Sequence, residues 1–384
     1  MIAHRTTTVA DSARRTKPPL LDFFAGSGLV TEALKGDFEL VWANDISEKK
    51  AAVFRANHPA NIFHQGPVQE IRGVDLPFGL LSWASFPCQD LSLAGKMNGL
   101  ASARSGLVWQ WLRVMDEMPR RPPLVVAENV VGLVTGAQGA HYRELHRALV
   151  KRGYRVGAVV LDAAHWVPQS RPRVFVVGVC KEIDTGEYQV GEPIWCHPKS
   201  VQRAAKGLKD WVWWNLKQPK RAPQTLQEIV SFDEPWDESA KTKYLLSLVP
   251  EKHRERMKLA IETGARVFPG YKRIRNGRQV LELRFDGLAG CLRTPEGGSS
   301  RQFLIVWHEG KLRSRLLAAR ETALLMGVRP TYRLPGLYND AYRAMGDAVA
   351  VPAAQYLSQQ LLSPLARAVL QHEVRPDSPA EIES

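Results

Sequence analysis

A cysteine presented after a proline, in Ser85-Phe86-Pro87-Cys88-Gln89-Asp90, is the first candidate for chemistry. Downstream, a glutamate closes an apolar run in Leu124-Val125-Val126-Ala127-Glu128-Asn129-Val130. Gln169-Ser170-Arg171-Pro172-Arg173 follows, and Leu21-Asp22-Phe23-Phe24-Ala25-Gly26-Ser27-Gly28 precedes all three. A thiol with a carboxyl group and guanidinium groups at hand suggests covalent catalysis on an electron-poor ring. Such a thiol needs electropositive or hydrogen-bonding surroundings to ionise, and Arg171 and Arg173 could supply that field. Cys180, in an apolar run, reads instead as an inert buried thiol.

The elements that must position these groups follow from pattern. The apolar run Leu20 to Phe24 ends in Gly26-Ser27-Gly28, and residues 29–35 read as helix. A strand leading through glycines to a helix N-terminus suits a nucleotide-like ligand, because glycine lets the ligand approach the backbone. Thr31 stands where a dinucleotide fingerprint would need a third glycine. Residues 39–43 read as a second strand, with Asp45 just beyond it. A carboxylate there can accept two hydrogen bonds from ribose hydroxyls. The plainer reading of Asp45 is an acid at the N-terminus of the next helix, 47–57, which Ser47 would cap, and the ribose role is the one favoured. Strands are expected at 80–84, 124–127, 156–161 and 174–179, and helices at 107–118 and 141–152. That alternation predicts an α/β fold with a mostly parallel sheet covered on both faces.

Near Lys181 the rhythm stops. Residues 199–223 set Lys199, Arg203, Lys206, Lys209, Lys217, Lys220 and Arg221 around Trp211, Trp213 and Trp214. Tyr271 to Arg278 and Arg293 to Arg301 are further basic runs. Residues 184–310 read as a second domain inserted in the first, 18–183. Helical periodicity returns at 316–326 within a support segment, 311–337, and again over 338–370, where 338–372 returns to the first domain. Residues 1–17 and 373–384 are expected to be loose tails.

At 384 residues the chain has room for two domains or one large one. No apolar run approaches the roughly 18 residues of a membrane span, and the basic N-terminus lacks the apolar core of a secretory signal. A net charge of +13 favours a polyanionic partner, because neutralised phosphates release counterions. Four cysteines make no disulfide framework, and a reducing compartment fits a catalytic thiol. Cys196-His197 has no second pair at ligand spacing, so no metal is expected.

The set of motifs, in this order and over most of the chain, resembles the cytosine-C5 DNA methyltransferases of the bacterial modification type. The resemblance implies a Rossmann-like S-adenosylmethionine-dependent methyltransferase sheet with an inserted, smaller target-recognition domain. It implies S-adenosyl-L-methionine as cofactor, with Phe24 over the adenine and Gly26 and Gly28 along the methionine part. Asp22, Ala25, Ser27, Asp45, Ile46, Pro87, Leu107, Asp347 and Ala348 complete the expected cofactor pocket. Cys88 would attack C6 of cytosine, Glu128 would hold ring N3, Arg173 would contact the base carbonyl, and Arg171 would lie toward the nucleophile loop. Asn129 and Gln169 would be braces. Residues 87–107 match the loop that closes over a flipped base, placing Gln89, Ser92, Lys96 and Arg104 on DNA. Arg320 to Gly327 and Gly346 to Pro352 match the family's ninth and tenth motifs. In the recognition domain, Arg273, Arg275, Arg293 and Arg301 are the candidates for DNA contact. Three positions depart from the family: Leu29 replaces a second glycine, Gly66-Pro67-Val68 lacks the Asp that reads the adenine amino group, and Asp347 replaces an Asn and loses its amide donor.

The implied reaction is methyl transfer to C5 of a cytosine in a short duplex DNA sequence. Double-stranded DNA is the expected partner, and enzymes of this type act either paired with a cognate restriction nuclease or alone. No membrane is expected, a monomer suffices, and the setting would be the bacterial cytoplasm, on DNA. The rival within the fold is an RNA cytosine-C5 methyltransferase, against which the long insert argues. A non-catalytic DNA-binding relative would explain the charge but leave the chemistry-bearing loops without purpose. A nicotinamide dehydrogenase would explain the glycine turn and not Pro87-Cys88-Gln89 or Glu128-Asn129-Val130.

Overall fold

The computed structural model describes residues 17–87, 106–220, 224–293 and 301–374. The first expected strand is β1 (Pro19–Phe23), buried at every position. It lies between β2 (Glu39–Asp45) and β4 (Leu81–Ala84), parallel to both. β3 (Phe63–Gln65) extends the sheet beyond β2, and β5 (Leu124–Val130) continues it beyond β4, again in parallel. β6 (Tyr154–Asp162) and β7 (Pro172–Cys180) complete a seven-stranded sheet of order β3-β2-β1-β4-β5-β7-β6.

The expected parallel arrangement therefore holds from β3 to β5 and ends there. β7 runs antiparallel to both neighbours. The connection from β6 to β7, residues 163–171, is too short for the dozen or more residues that a parallel crossover needs, so the pair closes as a hairpin. The reversal turns the start of β7, with Arg173, toward the C-terminal end of β5, where Val130 pairs with Arg173. Strand order changes direction about β1, and the crevice beyond the carboxyl ends of such strands is the usual ligand position.

Helices cover the sheet as the alternation implies: α1 (Leu29–Leu34), α2 (Glu48–Asn57), α3 (Leu107–Glu117), the short α4 (Gly132–Thr135) and α5 (Ala140–Lys151). Trp111, Leu112, Val114 and Met115 form the buried face of α3, an i, i+3, i+4 stripe. α6 (Lys199–Ala205) packs on α4, α5 and β6. The paired dipeptides β8 (Gln189–Val190) and β9 (Trp213–Trp214) lie on the same side, and Trp214 donates from its indole to the Val177 carbonyl at 3.2 Å. Residues 199–214, expected in the inserted unit, thus belong to the wall of the large sheet. Gly157 on β6 shows how closely that wall approaches: a Cβ there would meet the Val212 carbonyl at 2.1 Å.

The second sheet has four antiparallel strands, β10 (Val267–Arg275), β11 (Arg278–Leu283), β12 (Phe303–His308) and β13 (Lys311–Leu316), in the order β11-β10-β12-β13. β13 carries it past residue 310, through a stretch expected to support the hinge. The helices α7 (Leu226–Ile229), α8 (Ser239–Ser247) and α9 (Glu251–Glu262) precede it. Leu245, Val249 and Met257 meet Phe268, Leu281, Leu283, Phe303 and Ile305 in a core separate from that of the large sheet. The chain returns through α10 (Ala319–Leu325), α11 (Tyr338–Gly346), α12 (Val351–Leu357) and α13 (Ser363–Val374). Periodicity had run α10 back to residue 316, but Leu316 is still strand. Among the described residues no helix is long and apolar enough to cross a membrane.

Candidate active site

The glycine turn after β1 is built from backbone that few residues tolerate. Phe24 has φ of +57°, Gly26 +56° and Gly28 +83°. A positive φ costs an aromatic residue energy, so the surroundings must hold Phe24 there. Gly28 is required twice over, because a Cβ would also meet the His58 ring at 2.5 Å and the Phe54 ring at 2.9 Å. Asp45 pins the turn: its Oδ2 accepts from the Gly26 amide at 2.9 Å and its Oδ1 from the Ser47 amide at 2.8 Å. Ser47 in turn caps α2 by accepting from Lys50. Ile46, next to this carboxylate, is 69% exposed.

Long-range contacts tie the same turn to the end of the chain. The Ser27 hydroxyl donates to the Ala344 carbonyl at 2.8 Å, and the Tyr332 hydroxyl donates to the Ser27 carbonyl. His58 lies 3.2 Å from that Tyr332 oxygen, and burial holds its imidazole down at about 4, hence neutral. Asp347, at the end of α11, is salt-bridged to Lys50 at 2.9 Å. Asp22 is fully buried beneath the turn, where its Oδ2 accepts from Thr31 and its Oδ1 has no partner. Burial raises its carboxyl group to about 7, with the Thr31 hydroxyl pulling it back. Asp22 thus sits under the crevice rather than in it, while Ala25, also buried, holds the turn to β2 by donating to the Asn44 carbonyl at 2.8 Å.

At the C-terminal end of β5, Glu128 and Arg173 come together: Arg173 Nε is 3.3 Å from Glu128 Oε1. Burial pushes the Glu128 carboxyl group up, and Arg173, Arg171 and Ser85 oppose that rise. Asn129 donates to the Phe86 carbonyl at 2.8 Å, which anchors the run into Pro87, the last described residue before Cys88. Leu107, at the far side of the expected loop, opens α3. Cys88, Gln89, Ser92, Lys96 and Arg104 lie outside the described residues.

Arg171 is held among backbone carbonyls. Its buried guanidinium donates to the carbonyls of Leu292 (3.0 Å), Gly346 (2.8 Å) and Ala348 (2.6 Å). Gln169 lies beside it, donating to the Leu325 carbonyl and accepting from the Leu292 amide. Together they fasten the start of β7 to three distant segments. Cys291 was not singled out by sequence. It stands 3.4 Å from Arg171 Nη1 and 3.9 Å from Arg173 Nη2, next to the Glu128 pair. Tyr271 donates to the Cys291 carbonyl at 2.7 Å, and the guanidinium groups of Arg273 and Arg293 lie over the Tyr271 ring. These two arginines therefore border the Glu128 crevice. Arg275 is bound in two bonds by Glu282, and Arg301 donates to Asn339. No local pattern marks Cys291, His58 or Tyr332, since each matters through partners far away in the chain.

Fold and site define a class: an α/β methyltransferase sheet with a reversed seventh strand, joined to a smaller antiparallel sheet. Residues 19–363 match the family model of C-5 cytosine-specific DNA methylases, and the chain belongs to that family. It is 32% identical over 239 residues to the type II methyltransferase M.NgoFVII of Neisseria gonorrhoeae, covering 61% of this chain and 60% of that protein. It is 26% identical over 361 residues to the type II methyltransferase M.NgoPII of the same organism, covering 91% and 96%. The chain spans between half and two thirds of the length of several curated relatives that it matches. The crystal structure of the S. pombe Dnmt2 methyltransferase aligns with a TM-score of 0.59 over 91% of this chain and 99% of its own, at 17% identity, a likeness of fold alone.

Proposed function

We propose that this protein methylates C5 of a cytosine within a specific duplex DNA sequence, using S-adenosyl-L-methionine. The observation that carries the reading is the buried Glu128–Arg173 pair, set beside the Asn129-anchored run into Cys88. The cofactor fits the crevice at the ends of β1 and β2. There Phe24, Gly26 and Gly28 hold an open backbone turn, with Asp45 and the exposed Ile46 at its rim. The Asp45 carboxylate accepts two amide bonds and keeps lone pairs for ribose hydroxyls. When bound, S-adenosylmethionine supplies an electrophilic methyl group on a sulfonium sulfur.

Cytosine C5 is a poor nucleophile on its own. The Cys88 thiolate adds to C6, and C5 then carries electron density enough to take the methyl group. Glu128, favoured in its protonated form by burial, donates to ring N3 as negative charge develops there. Arg173 meets the base carbonyl and holds Glu128 in line. Loss of the C5 proton and release of the Cys88 sulfur then restore the ring. A base within a duplex cannot reach this crevice and must be extruded, at a cost of roughly a few kcal/mol. Arg171 acts as a positioning residue, through the carbonyls it binds. The four-stranded sheet serves as target-recognition unit, with Arg273 and Arg293 nearest the base. The relatives are named type II methyltransferases, which supports reading this chain as a DNA modification enzyme.

The test uses duplex DNA of mixed sequence carrying 5-fluorocytosine, the cofactor and purified protein. Fluorine blocks the final elimination, so an adduct that survives denaturation is expected, and it should vanish in Cys88→Ala. Cofactor binding with an adduct on RNA only would move the substrate to RNA. No adduct on either would leave a non-catalytic relative.

A further inference from the structure

The basic tryptophan-rich stretch at 199–214 stands apart from both the crevice and the four-stranded sheet. Lys199, Gln202 and Arg203 fall at i, i+3 and i+4 on α6, Lys206 caps its end, and all four are exposed, while Val201 and Ala204 are buried on its other face. That exposed face and the half-buried rings of Trp211 and Trp213 line a groove of about 730 Å³. The two indoles meet edge to face with centroids 4.8 Å apart, and Trp211 also stacks on His146 at 5.8 Å. Further contacts hold the wall in place. His146 is 2.8 Å from the Lys209 carbonyl, Trp213 packs on His197, and Arg143 donates to the Arg203 carbonyl. The carboxylate nearest in sequence, Asp210, is paired with Lys181 at 2.9 Å and leaves the groove cationic. The Trp211 indole N–H is buried without a partner.

Cations spaced along one helix face opposite flat rings are the two parts of a single-strand binding site: charge tracks the phosphates, and rings stack unpaired bases. A duplex offers its phosphates but keeps its base faces stacked, so it would leave the tryptophans unused. We propose that the α6–Trp213 groove is a second nucleic-acid site, which binds single-stranded DNA on the outer wall of the large sheet. α6, which forms one side of the groove, packs on α4, and α4 begins directly beyond the strand carrying Glu128. A strand lying there could share the protein with a duplex at the crevice.

The experiment measures anisotropy of a labelled oligo-dT of about 12 nucleotides, within the usual site size of such grooves. It lacks cytosine, so it offers the proposed methylation reaction no target base. The K199E/R203E/K206E variant and W213A should each weaken binding at least about tenfold, as expected for loss of one stacked base. W213F, which keeps a ring, should bind nearly as the parent. Thermal melting of the triple variant should match the parent, and R273A should leave oligo-dT binding intact. Loss in the charge variant with none in W213A would reduce the groove to a nonspecific basic patch. Equal loss in R273A would place the strand on the four-stranded sheet, and competition by thymidine monophosphate on a par with oligo-dT would make it a small-molecule pocket. Each of these three outcomes overturns the proposal.

Discussion

The crevice and the four-stranded sheet both rely on arginine, and use it in opposite ways. Arg171 is sealed from water, with its Nη atoms spent on backbone carbonyls and Cys291, so it determines where three segments meet. Arg273 and Arg293 lie over an aromatic ring with edges toward solvent, where a planar guanidinium can still bind a base or a phosphate. Buried polar groups specify geometry and become costly when unpaired. Exposed ones contribute little to the fold and remain available to a ligand. A change in the first group should therefore be read in folding or turnover, and a change in the second in affinity.

Glu128→Gln is expected to give the largest effect. Turnover should fall by roughly 10²–10⁴-fold, the usual range for loss of a positioned acid–base group. Melting should stay level or rise, because burial already disfavours the Glu128 charge. In the parent, activity should decline on the alkaline side as the protonated carboxyl group is lost. Rapid single-turnover methylation across pH checks both. Destabilisation without loss of turnover would remove Glu128 from the chemistry.

Glu321 offers the structural counterpart. Its carboxylate binds Arg315 in two bonds and also accepts the Ser231 and Ala318 amides, with Glu321 and Arg315 both buried. Arg315 lies on β13, so this cluster clamps the small sheet to α10. Glu321→Ala leaves a buried guanidinium uncompensated and should cost about 3–5 kcal/mol by urea unfolding. Cofactor affinity of the remaining folded protein should be nearly unchanged. A cost below about 1 kcal/mol would mean that water enters and solvates Arg315.

Two titrating groups under the glycine turn should act with opposite sign. Asp22, raised from 3.8 to about 7, contributes stability that is fully present below the lower value and is lost as pH climbs toward the higher one. His58, lowered from 6.5 to about 4, contributes stability that is present above the upper value and lost as pH falls through the lower one. Asp22→Asn should remove the downward slope of stability between about pH 4 and 7, where each pKa unit is worth about 1.4 kcal/mol. A parent and variant with parallel pH profiles would show that Asp22 ionises freely, with water at its unpaired oxygen.

Most of the large sheet was legible because its signals are local. The Leu20–Phe24 run, the glycine turn and the apolar run before Glu128 each announce an element within a few residues. The reversal of β7 was legible only in the shortness of the link before it. The second sheet was hidden because Lys and Arg are interspersed in β10, β11 and β13, while β12 is apolar on both faces, with Phe303 and Ile305 in the small core and Leu304 and Val306 in the large one, so composition masked the alternation. The lesson is sharpest for residues 199–214. Charge and tryptophan suggested an insert, whereas burial of Val201, Ala204 and Trp214 against the large sheet decides their place. Cys291 and Tyr332 could not be found, since nothing near them in the chain reports the arginine or the carbonyl that they meet in space.

The finest discrimination lies within the small sheet, between arginines two residues apart. Arg273→Ala removes a guanidinium that lies over the Tyr271 ring and should weaken binding of a target duplex by roughly 1–3 kcal/mol if it reads a base. Arg275→Ala should cost less, because Glu282 already holds that guanidinium with bonds of 2.6 and 3.0 Å. The pairing can itself be tested. Glu282→Ala should free Arg275 and strengthen binding to duplexes of any sequence, with a steeper dependence on salt as one more cation reaches phosphate. If instead Arg275→Ala weakens target binding as much as Arg273→Ala does, the duplex must displace Glu282. The exposed pair would then be a latch that DNA opens, and the contrast between the two arginines would vanish on binding.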